Sequence, residues 1–193
     1  LVAKSIATST QSDRTVNYHV FYCGPESQLS RRLQGSRRGV VTIHLHSIAN
    51  PWQRFGKVGR FPAISLLRLS LANLLPDESR VIYLDADLVV LADIGELFDT
   101  ALEGRPAGAV VDRYVLEQAL RVPGERKTAE FRTYLDKVVG LDSDDLVRDY
   151  RQAGVLLIDL DAWRALRLAE RAMELLEAKA SQLRYADQCL LNM

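Results

Sequence analysis

The stretch that most limits what this chain can fold into is Arg80-Val81-Ile82-Tyr83-Leu84-Asp85-Ala86-Asp87. Four of the five residues from Val81 to Asp85 are apolar or aromatic, and the run is too short for a helix. It reads as a buried central strand, of the kind that is apolar on both faces. Two aspartates close it, and Leu88-Val89-Val90-Leu91 continue the apolar run beyond them. In an open α/β sheet, ligands sit beyond the carboxyl ends of the strands, so Asp85 and Asp87 fall where a site is expected. Two carboxylates this close repel unless a cation or a proton lies between them. Hard divalent cations often take only one or two carboxylates and complete their shell with substrate phosphates. The competing reading is a turn carrying two solvated acids.

A length of 193 residues predicts one domain, residues 1–193, with a sizeable core. The apolar share of 48% and charged share of 26% are those of an ordinary globular protein. A formal net charge of zero leaves no electrostatic footprint for nucleic acid or an acidic membrane. No apolar run approaches the roughly 18 residues of a membrane span. Cys23 and Cys189 lie far apart and suggest no disulfide framework, which points to a reducing, cytoplasmic compartment. Residue 1 is Leu rather than Met, and the last residues fall inside an expected helix, so the chain is expected to continue at both ends.

Along the chain, a helix to about Thr10 precedes a strand from Val16 to Cys23 with period-two alternation. Gly24-Pro25-Glu26 is expected to open a helix ending near Gly35, and Gly39 to Leu45 is a second strand. Strand, helix and strand make a βαβ unit, which implies parallel pairing. His44 and His46 share one face of that strand, either as zinc ligands or as rim or core positions. Ser47 to Arg60 reads as a solvated connection or as a flap over an anionic ligand. Next comes a helix to about Leu75, with Ile64, Leu67, Leu71 and Leu74 on one buried face. Arg68 lies nearly on that face and so calls for an anion, either a phosphate or an acid such as Asp85.

Ile94 to Leu102 forms a short helix with Asp93 as N-cap, and Ala107 to Val111 is a strand ending in Asp112. Tyr114 to Lys137 is read as helical, interrupted at Pro123-Gly124. Asp142, Asp144 and Asp145 read as a solvated loop rather than a calcium site. Gly154 to Leu160 is a further strand. One long amphipathic helix from Trp163 to Ala180 is expected to pack Leu166, Ala169, Met173, Leu176 and Ala180 into the core. A last helix starts at Tyr185, with Asp187 near its first turn.

Ile64-Ser65 with Arg68, Leu75-Pro76 and Val81 to Asp87 resemble the signature of the retaining glycosyltransferases that include glycogenin and the bacterial lipopolysaccharide galactosyl- and glucosyltransferases. Tyr150 with Ala153 to Leu160 and Trp163 resembles that family's second block. Asp187-Gln188 with Leu190, Leu191 and Asn192 resembles its third. The resemblance implies an α/β GT-A fold, a Rossmann-like, mostly parallel sheet flanked by helices. It also implies transfer of a hexose, galactose or glucose, from a UDP-sugar to a glycan or lipid-linked acceptor, with Mn2+ or Mg2+. On motif match, Asp85 and Asp87 would hold the metal, and Arg68, Asp85, Ala153 and Gly154 would bind the donor. Asp112 and Gln152 would lie near the sugar, and Asp187 and Gln188 near the anomeric carbon as the catalytic pair. The family's first strand would precede Leu1. Its metal-binding histidine and phosphate-binding lysine would follow Met193, where peripheral membrane contact is also expected; nucleic acid is not an expected partner.

The chain departs from the pattern at Gln152, where the family has Asn, at Arg151, where it has an aromatic, and at Cys189, where it has a second Asp. Gln152 and Cys189 motivate an alternative, a glycosyltransferase-like module that binds without transferring sugar. A second alternative starts from the spacing of Asp85, Asp87 and Val89, which also fits haloacid-dehalogenase-type phosphatases, whose first Asp is a nucleophile and which use magnesium.

Overall fold

The computed structural model describes residues 1–11, 13–120 and 126–193, and the chain divides into two compact units. The first comprises Leu1–Pro51 and Leu84–Glu103, the second Trp52–Tyr83 and Gly104–Met193. The expected interruption at Pro123-Gly124 lies outside the described residues.

In the first unit, strand β1 (Val16–Tyr22) runs parallel to β3 (Val41–Ser47), with β2 (Arg37–Arg38) antiparallel on the far side of β3. The parallel pairing is the one the βαβ pattern predicts. The crossover helix, Gln28–Leu33, starts later than Pro25 suggests, because Ser27 builds a capping box with Ser30: each side chain takes the other's backbone N–H. On the Val2–Ser9 helix, Val2 and Ile6 are one turn apart and press on Val41 and Ile43 of β3. Asp93 caps the Ile94–Phe98 helix, as its position predicts. Leu88 to Leu91 do not prolong a strand; Val89 and Leu91 are exposed. Ser5 and Ser9 bind the Val90 N–H and carbonyl and tie this segment to the first helix instead.

The second unit holds a hairpin of β4 (Lys57–Val58) and β5 (Phe61–Pro62), and a sheet of β6 (Arg80–Leu84), β7 (Ala107–Val111) and β8 (Arg151–Asp159) in the order β6-β8-β7. β7 is antiparallel to β8, with an irregularity between Ala109 and Val111 that leaves Val110 exposed. β6 is half-buried at every position, less than its apolar sequence predicts.

Three expectations change here. Ser47–Arg60 is not simply a solvated connection: Trp52 is 1% exposed and its indole N–H donates to Ser70 at 2.9 Å, while Val58 is buried too. The hairpin turns at Gly59, where φ is +59° and a Cβ would come within 2.6 Å of the Leu183 carbonyl, so the close approach requires glycine. The segment Ala63–Ser70 is a 3-10 helix leading into the α-helix Leu71–Leu74. With three residues per turn, Ala63, Leu66 and Leu69 share a face and go inward, whereas Ile64 is exposed. The long C-terminal helix is broken into Leu160–Ala165 and Leu168–Lys179, because Arg167 takes the left-handed conformation at φ 50°. Leu166 is exposed at that break, while Ala172 and Leu176 carry the packing.

Asp144 and Asp145 open a short helix, Asp144–Arg148, and pair with Arg132 and Arg148. Arg164 donates to the carbonyls of Ala72, Leu75 and Glu78, satisfying groups that the end of the Leu71–Leu74 helix leaves open.

Candidate functional site

The site in the second unit is built from the start of β8, the 3-10 helix and the Ala186–Leu191 helix. Arg68 is odd on an apolar segment, and its burial is explained by four contacts. Its Nε lies 3.0 Å from Asp187 Oδ2, with only 9% and 8% of the two side chains exposed. Nε also donates to the Ser65 carbonyl, Nη1 donates to the Ala153 carbonyl, and the guanidinium sits 4.3 Å from the Tyr83 ring centroid. An ion pair out of water is tolerated when its remaining donors are satisfied in this way. Of the two anions expected for Arg68, an acid or a phosphate, the second unit supplies an acid, Asp187.

Gln188 holds the other backbone group of Ala153, its N–H. Its Oε1 accepts the Ala153 N–H at 3.3 Å and its Nε2 donates to Asp112 Oδ2 at 2.8 Å. Asp112 in turn caps the Arg113–Leu120 helix through Val115 N–H and donates its own N–H to the Tyr150 carbonyl. Both backbone groups of Ala153, which belong to successive peptides, are therefore held by consecutive residues: the carbonyl by Asp187 through Arg68, and the N–H by Gln188 directly. Gln152 turns its Oε1 back onto Gly154 N–H at 2.8 Å. Asn192 binds both backbone groups of Arg151 and the Gln188 carbonyl.

Cys189 is fully buried beneath this network, with Tyr134 Oη at 2.9 Å and Tyr150 Oη at 3.5 Å from its Sγ. Burial, with Cys189 beside them, pushes both phenols far above their ordinary range and keeps them neutral.

The structure thus brings together seven of the residues singled out in the sequence: Arg68, Asp112, Gln152, Ala153, Gly154, Asp187 and Gln188. Asp85 and Asp87 belong to the first unit, in the turn after β6, where Asp85 is half-buried and Asp87 exposed. Both offer the hard oxygen donors that Mn2+ or Mg2+ prefers. Among the described residues, no group of three or more His, Cys, Asp or Glu side chains is placed to hold a metal ion. That removes the zinc reading of His44 and His46. A third histidine, His19, does lie beside them, but the rings stack within 18° of parallel, and His19 Nδ1 meets His46 Nε2 at 2.9 Å. His44 Nε2 meets Asn17 Oδ1 at 3.2 Å, so these nitrogens engage protein partners rather than converge on a cation.

Asn192 stands in the third block with no role implied for it by the resemblance. Its spacing of four from Gln188 on a helix puts the two side chains on one face, which is the signal that could have found it.

No described helix is long and apolar enough to cross a membrane. Comparison with known proteins supplies the family. The chain is 29% identical to the lipopolysaccharide 1,2-glucosyltransferase of Escherichia coli over 133 residues, 69% of this chain and 32% of that protein. It is 24% identical to general stress protein A of Bacillus subtilis over 194 residues, 97% of this chain and 61% of that protein. Among solved structures it resembles the galactosyltransferase LgtC in complex with donor and acceptor sugar analogs, with a TM-score of 0.76 and 27% identity over 99% of this chain and 63% of that one. The chain thus spans between about a third and two thirds of the length of these proteins. The fold is GT-A, as the three blocks imply. The phosphatase reading of Asp85 and Asp87 is set aside, since one family accounts for every block in order. A model of that family matches residues 1–193 from end to end, and the chain belongs to glycosyl transferase family 8.

Proposed function

We propose that the protein transfers a hexose, glucose or galactose, from a UDP-sugar to a glycan or lipid-linked acceptor, in the cytoplasm and with retention of configuration. The observation that carries the reading is the Ala153 backbone, its carbonyl held by Arg68–Asp187 and its N–H by Gln188–Asp112, in a family 8 chain. Backbone tied at both groups to buried side chains is rigid, and a rigid surface positions a sugar without reorganising during reaction.

In this reading Asp85 and Asp87 hold a divalent cation, which when bound supplies Lewis-acid stabilisation to the departing diphosphate. Ala153 and Gly154 lie along the donor sugar, with Gln152 and Asp112 beside it. Asp187 acts with its charge committed to Arg68, and Gln188 is an amide that does not ionise. Neither is suited to remove the acceptor proton, so the pair orients the anomeric centre. The leaving phosphate takes that proton in a front-face displacement. The alternative, a module that binds without transferring sugar, rests on Gln152 and Cys189 and predicts no turnover.

The test is UDP release from UDP-glucose and UDP-galactose by the full-length protein, with manganese and with chelator, and the anomeric configuration of the product by NMR. Metal-dependent release with a retained configuration is expected. Inversion, or release unaffected by chelator, overturns the reading.

A further inference from the structure

We infer that Asn192 is a positioning residue for the transfer step, acting through Gln188 and the opening of β8; the inference rests on the glycosyl-transfer reading above. Its Oδ1 accepts the Arg151 N–H at 2.7 Å, and its Nδ2 donates to the Arg151 carbonyl at 2.8 Å and the Gln188 carbonyl at 2.7 Å. One side-chain amide thus occupies both hydrogen-bonding groups of Arg151, as a neighbouring strand would. It also ties them to the carbonyl of the residue whose own amide reaches Ala153 and Asp112.

The chemistry of the position is demanding. It needs one acceptor and two donor hydrogens at the end of a short stem, and Asn supplies that set. An Asp there keeps the acceptor but turns a carboxylate toward two carbonyl oxygens. An Ala leaves the Arg151 N–H and both carbonyls without this partner. Either change frees the helix turn from Gln188 to Asn192 to move against Arg151–Gly154. The side chain of Gln188 then loses its fixed reach to the Ala153 N–H, which at 3.3 Å is the longest bond of the set. Loss of orientation at a reacting centre lowers turnover more than it weakens ground-state binding.

A double-mutant cycle on the full-length protein tests this. It measures kcat and KM with UDP-glucose and UDP-galactose, together with Tm, for wild type, Asn192→Ala, Gln188→Ala and the double variant. Asn192→Ala is expected to lower kcat roughly 10- to 100-fold, with KM little changed. In the Gln188→Ala background the same change is expected to cost less than about twofold, because residues acting through one another are not additive. Should Asn192→Ala fail to fold, Asn192→Asp takes its place in the cycle. An Asn192 variant with wild-type kcat, or losses that multiply fully in the double variant, overturns the inference and leaves the proposed function standing. A wild type without turnover overturns both.

Discussion

In the first unit, Val2 and Ile6 lie against Val41 and Ile43, and the ion pair of Arg14 with Asp99 stands at the surface. In the second, Arg68 and Asp187 are buried together beside Leu66 and Leu67, which belong to the same 3-10 helix as Arg68. The first unit is held by apolar contact, with polar groups at caps and rims. The second carries a polar network through its interior, and that network fixes the backbone of one residue, Ala153. Burying a charge pair stabilises a fold little against an apolar substitute, whereas breaking it is costly. The difference teaches where the fold keeps polar groups for purposes other than stability.

The comparison can be broken most directly at Asp187. Asp187→Ala leaves Arg68 buried without its carboxylate and is expected to cost about 3–5 kcal/mol in urea unfolding. The paired replacement Arg68→Met with Asp187→Leu is expected to recover most of that stability while abolishing turnover. Recovery of both would mean that the ion pair serves only the fold. In the first unit, Ile6→Ala removes a fully buried side chain and is expected to cost about 2–4 kcal/mol, with UDP release lost only in proportion to unfolding. A selective loss of turnover in folded Ile6→Ala would blur the contrast between the units.

Smaller effects sharpen the picture. Ser27→Ala removes one half of the capping box and is expected to cost about 1 kcal/mol. The smallest concerns pH. Burial, and then the neighbouring His44, hold the His46 ring below its ordinary value of 6.5. The folded state therefore favours the neutral ring. Its contribution is complete above about pH 6.5 and is lost as pH falls from there through the lowered folded value. His46→Phe keeps the stack with His19 and Phe21 and is expected to flatten that acid limb; an unchanged limb places the dependence elsewhere.

Most of the strands were legible because their apolar or alternating runs have period-two geometry and end at turn residues. The parallel pairing of β1 with β3 followed from the helix between them. Other features depended on partners distant in sequence. Nothing near Trp52 announces that Ser70 will receive its N–H, so sequence alone leaves the segment as a solvated connection or a flap. Ile64 looked buried because an α-helical period was applied to a 3-10 helix. The break at Arg167 carries no glycine or proline to mark it.

The site was legible in its members more than in its connections. Arg68 stood out as a charge on an apolar face, which requires a counter-ion, yet sequence alone left that partner open and named Asp85 only as one instance. Asp187 and Gln188 were read as one pair. The fold divides them, one acting through Arg68 and the other directly on Ala153.

The central claim is that this family 8 chain binds a uridine diphosphate through a cation at Asp85 and Asp87. Calorimetric titration of UDP into the full-length protein, with manganese and with chelator, tests it most directly, with Asp87→Asn in parallel. Binding is expected to require manganese and to disappear in Asp87→Asn. Equal affinity in chelator, or in the variant, contradicts it.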